Sequence, residues 1–243
     1  MGEVTFENYG KYAKCVENTT AISGRYCIQA DAERRIVNDL ISKLSIQSSD
    51  SLLDIGCNIG TVFIPLSFLV AQATAVDHPD CLARLQERFK GENVRYMAGN
   101  FLTLPFNDER YDKILSYSVL HCLRKDDLVP FVEKAISLLA PGGRLLLGDI
   151  PNTSLKQRFL DSDEGIRFQE EWNRLCSQND STKECKEVVD CKPDPDNAQF
   201  DDESVLALTA YIRKLGCSAY ILPQNPELPF GHTREDILVI RPR

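Results

Sequence analysis

Asp54, Gly56 and Gly60 stand in the row Asp54-Ile55-Gly56-Cys57-Asn58-Ile59-Gly60, and a second acid, Asp77, closes the apolar run Ala73-Thr74-Ala75-Val76. Glycine has no Cβ and tolerates positive φ, so Gly56 and Gly60 are places where backbone can pass close to a ligand. A helix opening at such a turn presents unpaired amides and a partial positive charge, which suit an anionic or polar group. An acid two residues ahead of the first glycine repels a pyrophosphate but can hold an ammonium group. An acid at the tip of a second strand can accept hydrogen bonds from both hydroxyls of a ribose. The chemistry implied is nucleoside binding, with a spacing that departs from the G-x-G-x-x-G of dinucleotide sites.

The elements that must position these residues are legible nearby. Leu52 to Ile55 reads as a short buried strand, 62–71 as a helix and 73–76 as a second strand. Val94 to Ala98 reads as a further strand, and 80–89 and 126–139 as helices, each opened by an acid suited to capping. Before them, 31–44 has Ile36, Val37, Leu40, Ile41 and Leu44 on one helical face, so residues 1–46 are expected to form an N-terminal helical cap. Strands alternating with helices specify an α/β, doubly wound, mainly parallel sheet with right-handed crossovers.

The turn Asp54–Gly60 resembles the first motif of the class I S-adenosylmethionine-dependent methyltransferases, D-x-G-x-G-x-G, with Asn58 in place of the central glycine. Gly99-Asn100-Phe101-Leu102-Thr103-Leu104-Pro105-Phe106 is similar to that family's G-D-x-x-x-L-P-F stretch, and Leu139-Ala140-Pro141-Gly142-Gly143 to its L-x-P-G-G turn. Tyr111 to His121 resembles the fourth strand and the loop over the cofactor's methionine end. The resemblance covers roughly residues 50–150 and implies a seven-stranded Rossmann-like sheet with an antiparallel C-terminal edge hairpin. It implies S-adenosylmethionine as cofactor, held by Asp54, Gly56, Cys57, Asn58, Gly60, Asp77, His78, Asn100, Phe101, Ser116 and Ser118. Asn100 would stand at the adenine edge, where an amide still offers both a donor and an acceptor. The acids that hold magnesium in catechol-type members are replaced by Ser116-Tyr117-Ser118, so no metal is expected.

Composition sets the outer bounds. The chain has 243 residues, 43% of them hydrophobic and 26% charged, which is ordinary for one globular domain spanning 1–243. A net charge of −8 argues against a nucleic acid partner, because backbone binding needs clustered Lys and Arg. No apolar run reaches a membrane span, and Met1 to Thr5 has no signal-peptide character, so a cytoplasmic protein without a membrane partner is expected. Nine scattered cysteines fit reduced thiols better than a disulfide framework, and Cys176, Cys185 and Cys191 lack the tight pairing of a zinc site.

After Asp149 the rhythm breaks. A helix or helix pair is expected over 159–176, a polar loop over 177–202 and a helix over 202–215 stopped by Gly216, with 151–202 forming a lid insertion. Strands at 219–222 and 236–241 flank a long connection whose phrase Pro229-Phe230-Gly231-His232-Thr233-Arg234-Glu235-Asp236 resembles one in bacterial methyltransferases of surface-polysaccharide or flagellar sugar pathways.

Methyl transfer to a hydroxyl needs a base, and His121 and His232 are the candidates; each is weighed against a packing or turn role. His78 directly follows the ribose acid and is expected beside the adenosine instead. Tyr12 and Arg234 are candidate acceptor contacts, Arg234 suiting an anionic one. The function expected is O-methylation of a small molecule, a sugar or sugar-derived metabolite. Protein or RNA methylation, a non-catalytic scaffold and homodimer formation stay open.

Overall fold

The computed structural model describes residues 3–178 and 194–243. Its sheet runs β3(Val94–Ala98), β2(Gln72–Asp77), β1(Ser51–Ile55), β4(Tyr111–Tyr117), β5(Leu139–Pro151), β7(Arg234–Ile240), β6(Ser218–Pro223). The first five strands are parallel, and β7 lies antiparallel between β5 and β6. Chain order reverses between β1 and β4, and such a switch point opens a crevice at the strands' C-terminal ends. Asp54 and Asp77, near the ends of β1 and β2, are brought there by this topology.

Both faces of the sheet are covered, which is why its central strands read as unbroken apolar runs. On one face α4(Ile36–Leu44), α5(Phe63–Ser67) and α6(Pro79–Arg88) bury Leu40, Phe63 and Leu85 against Leu52 and Leu115. On the other, α7(Leu128–Ser137) and α10(Asp202–Lys214) bury Phe131 and Leu208 against Leu53 and Ile114. Ahead of them, α1(Glu3–Cys15) packs on α6, and α2(Thr19–Ile22) and α3(Ala30–Glu33) lead into α4.

Several boundaries differ from expectation for local reasons. The helix expected over 31–44 is divided between α3 and α4. The one expected over 62–71 stops at Ser67, and Ala71 N donates to Asp50 O at 2.9 Å, turning the chain into β2. The cap of α6 is His78, whose Nδ1 accepts from Asp80 N at 3.2 Å; Asp80 itself lies inside the first turn. Asp127 ends a 3-10 turn before α7 and makes no side-chain cap. The helix or helix pair expected over 159–176 is a pair that starts earlier, α8(Thr153–Leu160) and α9(Asp163–Gln178), separated where Ser162 Oγ accepts from Gly165 N at 3.0 Å.

Most of the loop expected over 177–202 lies outside the described residues, with Cys185 and Cys191. Its described end is packed: Ala198 and Phe200 are buried, and Thr153 N donates to Phe200 O at 2.9 Å. The reduced-thiol expectation fails at Cys27, which is disulfide-bonded, whereas Cys15, Cys57, Cys81, Cys122 and Cys217 are free. Among the described residues no group of His, Cys, Asp and Glu could hold a metal, and no helix is long and apolar enough to cross a membrane.

Gly60 shows how the turn is held. Its φ is +86°, and a Cβ there would overlap Leu85 Cδ1 of α6. Gly60→Ala is therefore expected to cost about 1–3 kcal/mol in backbone strain and overlap, read as a lower urea-unfolding midpoint. Unchanged stability would show that Leu85 can move aside and that the turn is not held by this contact.

Candidate active site

The crevice is lined by Asp54, Gly56, Cys57, Asn58, Asp77 and Ser118 from the strand ends and turns. Tyr9, Arg25 and Glu33 reach it from the N-terminal segment. Asn58 has a φ of +50°, a left-handed conformation that asparagine tolerates better than most residues. Its side chain then does what glycine could not: Nδ2 donates to Ile22 O at 2.8 Å, tying the turn to the end of α2. Ser118 also sits at positive φ, +63°.

The two acids are buried together. Asp77 accepts from Asn58 N and from His78 N, each at 2.6 Å, which leaves lone pairs on both oxygens for a further donor. Burial raises its pKa, opposed by those two amide bonds. Burial, and then the charge of Asp77, push Asp54 up to about 8. Next to this crevice a smaller hollow is formed by Phe6, Asp77, Gly99, Asn100 and Phe101. Asn100 Oδ1 accepts from Leu102 N at 3.1 Å, a bond that uses one lone pair and neither amide hydrogen. Ser116 is fully buried with its hydroxyl unpaired, and Gly60 shapes the turn from behind. His78 is spent on capping α6 and meets Phe6 edge-on at 4.8 Å.

A chain of charges bounds the crevice on its far side. Arg25 Nη2 donates to Asp149 Oδ2 at 3.4 Å, and Arg25 Nη1 lies 3.6 Å from Glu33 Oε1. Arg234 Nη1 donates to Asp149 O at 3.2 Å, with its Nε 3.9 Å from Asp149 Oδ1. Asp149 lies at φ +58° in the register shift between Leu147 and Ile150, and its amide donates to Asp236 Oδ1 at 2.8 Å. His121 is in a 3-10 turn after β4. Its Nδ1 is buried without a hydrogen-bond partner, and burial, with Arg234 adding to it, brings its pKa down to about 4.

Beyond this link lies a second cavity of about 670 Å³, whose lining includes Tyr26, Lys156, Phe159, Trp172, His232 and Arg234. His232 is stacked on Phe159 at 4.3 Å and 4°, a wall position. Arg234 is engaged with Asp149 before any ligand arrives. Tyr12 stands edge-on to Tyr9 at 6.2 Å in α1, and of the two Tyr9 is the one on the crevice. Tyr9, Arg25, Glu33 and Asp149 were missed from the sequence; Arg25 alone, a cation in a segment rich in aromatics, offered a signal.

The cofactor implied by the motifs fits these groups. Arg25 Nε, Glu33 Oε1 and Thr61 Oγ1 are buried polar atoms without hydrogen-bond partners beside the crevice, and Asp54 is a carboxylate that a cation would ionise. In such a complex Asp77 would take the ribose hydroxyls, Asp54 the ammonium side and Arg25 the carboxylate. A raised carboxylate pKa costs the free protein stability as pH rises through the interval up to about 8, because the folded state holds the proton longer. Binding S-adenosylhomocysteine at pH 7 is thus expected to release up to ~1 proton from Asp54. Calorimetry in two buffers of different ionisation enthalpy checks this, with Asp54→Asn releasing none; buffer-independent heats in the parent protein would remove Asp54 from the role.

Comparison with known proteins agrees with this geometry. A methyltransferase-domain family matches residues 52–143. The chain is 30% identical over 139 residues to erythromycin 3''-O-methyltransferase of Saccharopolyspora erythraea, covering 54% of this chain and 44% of that protein. It is 25% identical over 177 residues to malonyl-[acyl-carrier protein] O-methyltransferase of Chlorobium luteolum, covering 68% and 66%. The chain thus spans less than two thirds of either relative. Among solved structures, the N-methyltransferase NodS of Bradyrhizobium japonicum in complex with S-adenosylhomocysteine superposes with a TM-score of 0.63 at 16% identity, over 98% of this chain and 99% of that one. Over residues 52–143 the chain is thus similar to a methyltransferase-domain family, and its strand order is that of a Rossmann-like methyltransferase fold.

Proposed function

We propose that the protein methylates an oxygen of a small molecule held in the cavity beyond the Arg25–Asp149–Arg234 link. The observation that carries this reading is the adjacency of two differently built spaces. One is narrow, acidic and set at the strand ends; the other is wide, ring-lined and within the usual size range of small-molecule sites. S-adenosylmethionine supplies an electrophilic methyl group on a sulfonium. The chain's own work is to orient the acceptor, exclude water and accept a proton. His121 suits the last task, since it is neutral at pH 7 and its Nδ1 has no protein partner. The segment 151–202, read as a lid, contributes α8 and α9 to the wall of the cavity.

The curated relatives cited above are named for O-methylation of an antibiotic and of a carrier-bound acid, which supports an oxygen acceptor. A sugar or sugar-derived acceptor, suggested by the Pro229 to Asp236 phrase, is the second reading. Incubation with methyl-labelled S-adenosylmethionine and fractionated cell extract tests the function. Label is expected in the small-metabolite fraction; label confined to protein or RNA would overturn it.

Once an acceptor is in hand, the pH dependence identifies the base. A free histidine would lose activity below its ordinary range, whereas one lowered to about 4 stays unprotonated through pH 6. With His121 as base, kcat is expected to be flat from pH 6 to 8, and His121→Ala to lower kcat by roughly 10²–10⁴-fold. His232→Ala is expected to raise the acceptor KM more than it lowers kcat. The reverse pattern would transfer the role of base to His232.

A further inference from the structure

The ring-lined cavity says more about its occupant than its size does. Among the described residues six rings contribute to its wall: Tyr26, Phe159, Phe168, Trp172, Phe230 and His232. They are arranged as flat surfaces and edges rather than as a disordered apolar patch. Phe159 and His232 are parallel at 4.3 Å, Phe168 and Trp172 nearly so at 6.1 Å and 16°, and Tyr26 meets Trp172 edge-on at 5.2 Å. Such surfaces favour planar ring systems, which gain from stacking and edge contacts beyond the area they bury.

The polar groups of the same wall are mostly committed within the protein. Asn152 donates to Asp202 and Glu235, Thr153 to Phe200 O and Thr233 to Phe230 O. Gln29 Oε1 accepts from Tyr26 N. A polyhydroxylated sugar would have to leave its hydroxyls unpaired against this lining, which burial penalises. The charges point the same way. Glu227 is neutralised by Arg35 at 2.5 Å, and Arg234 by Asp149. Lys156 makes no ion pair among the described residues, so within that set it is a positive charge of the lining without a partner.

We propose that the acceptor is a planar, multi-ring aromatic acid, its rings set against the Phe159–His232 and Phe168–Trp172 surfaces and its carboxylate toward Lys156. This rests on the small-molecule reading above and narrows it to one substrate class. Trp172 is the chain's single tryptophan, so binding at this wall has its own optical signal.

The test uses the whole protein saturated with S-adenosylhomocysteine and three probes: 3-hydroxy-2-naphthoate, 2-naphthol and UDP-glucose. Calorimetry measures affinity, and Trp172 quenching locates the site. The naphthoate is expected to bind at least ~10-fold more tightly than UDP-glucose and to quench Trp172. Lys156→Glu is expected to weaken the naphthoate roughly tenfold and leave 2-naphthol unchanged, while Phe159→Ala weakens both. Tighter binding of UDP-glucose, or a Lys156→Glu variant with unaltered naphthoate affinity, overturns the proposal. The affinity of each variant for S-adenosylhomocysteine is measured separately. It shows that the variant is folded, and its absence in the parent protein would count against the methyltransferase reading, not the aromatic one.

Discussion

Asp149 is the residue on which the arrangement of the site depends. Its carboxylate, nearly excluded from water, meets Arg25 from the N-terminal segment, its carbonyl meets Arg234 at the start of β7, and its amide meets Asp236 in the same strand. Two guanidinium groups offset the burial of this carboxylate: Arg25 bonds Oδ2, and Arg234 lies 3.9 Å from an Oδ1 that has no hydrogen-bond partner. The register shift in β5 and the left-handed backbone at Asp149 are the local cost of turning it toward both cations. Arg25 lines the acidic crevice and Arg234 the ring-lined cavity, so one buried ionic link joins distant pieces of chain and ties together two chemically different spaces.

The central sheet was legible because its physics is local. A strand buried on both faces is an apolar run such as Leu52 to Ile55, and a positive-φ turn calls for glycine or asparagine, as at Gly56, Asn58 and Gly60. Asp54 and Asp77 followed from the topology that these runs imply. Helix ends were less legible. Asp80 looked like a cap, but the imidazole of His78 takes that place and Pro79 fixes the first turn behind it.

The contributions of Tyr9 and Glu33 were not legible, and Arg25 offered only its place as a cation among aromatics. Arg25 and Asp149 are 124 positions apart, and no periodicity or spacing encodes a meeting at that range. The ring-lined cavity was hidden for the same reason. Tyr26, Trp172 and Phe230 come from three segments, each of which reads alone as a few aromatics among polar residues. Ser162 was a small signal overlooked: a hydroxyl ahead of Gly165 is enough to break a long helix into α8 and α9 and so to bend a wall around the cavity.

Asn58 has an effect that reaches past the turn it occupies. A glycine there would supply the same backbone shape and nothing more, but the asparagine side chain also holds the carbonyl of Ile22. The shape of the nucleoside turn and the seating of the N-terminal segment are therefore a single coupled equilibrium. Whatever steadies the turn from inside draws the segment carrying Arg25 into register, and whatever loosens that segment is felt inside as a weaker grip. A single amide in a glycine's place thus draws the first residues of the chain into the binding reaction.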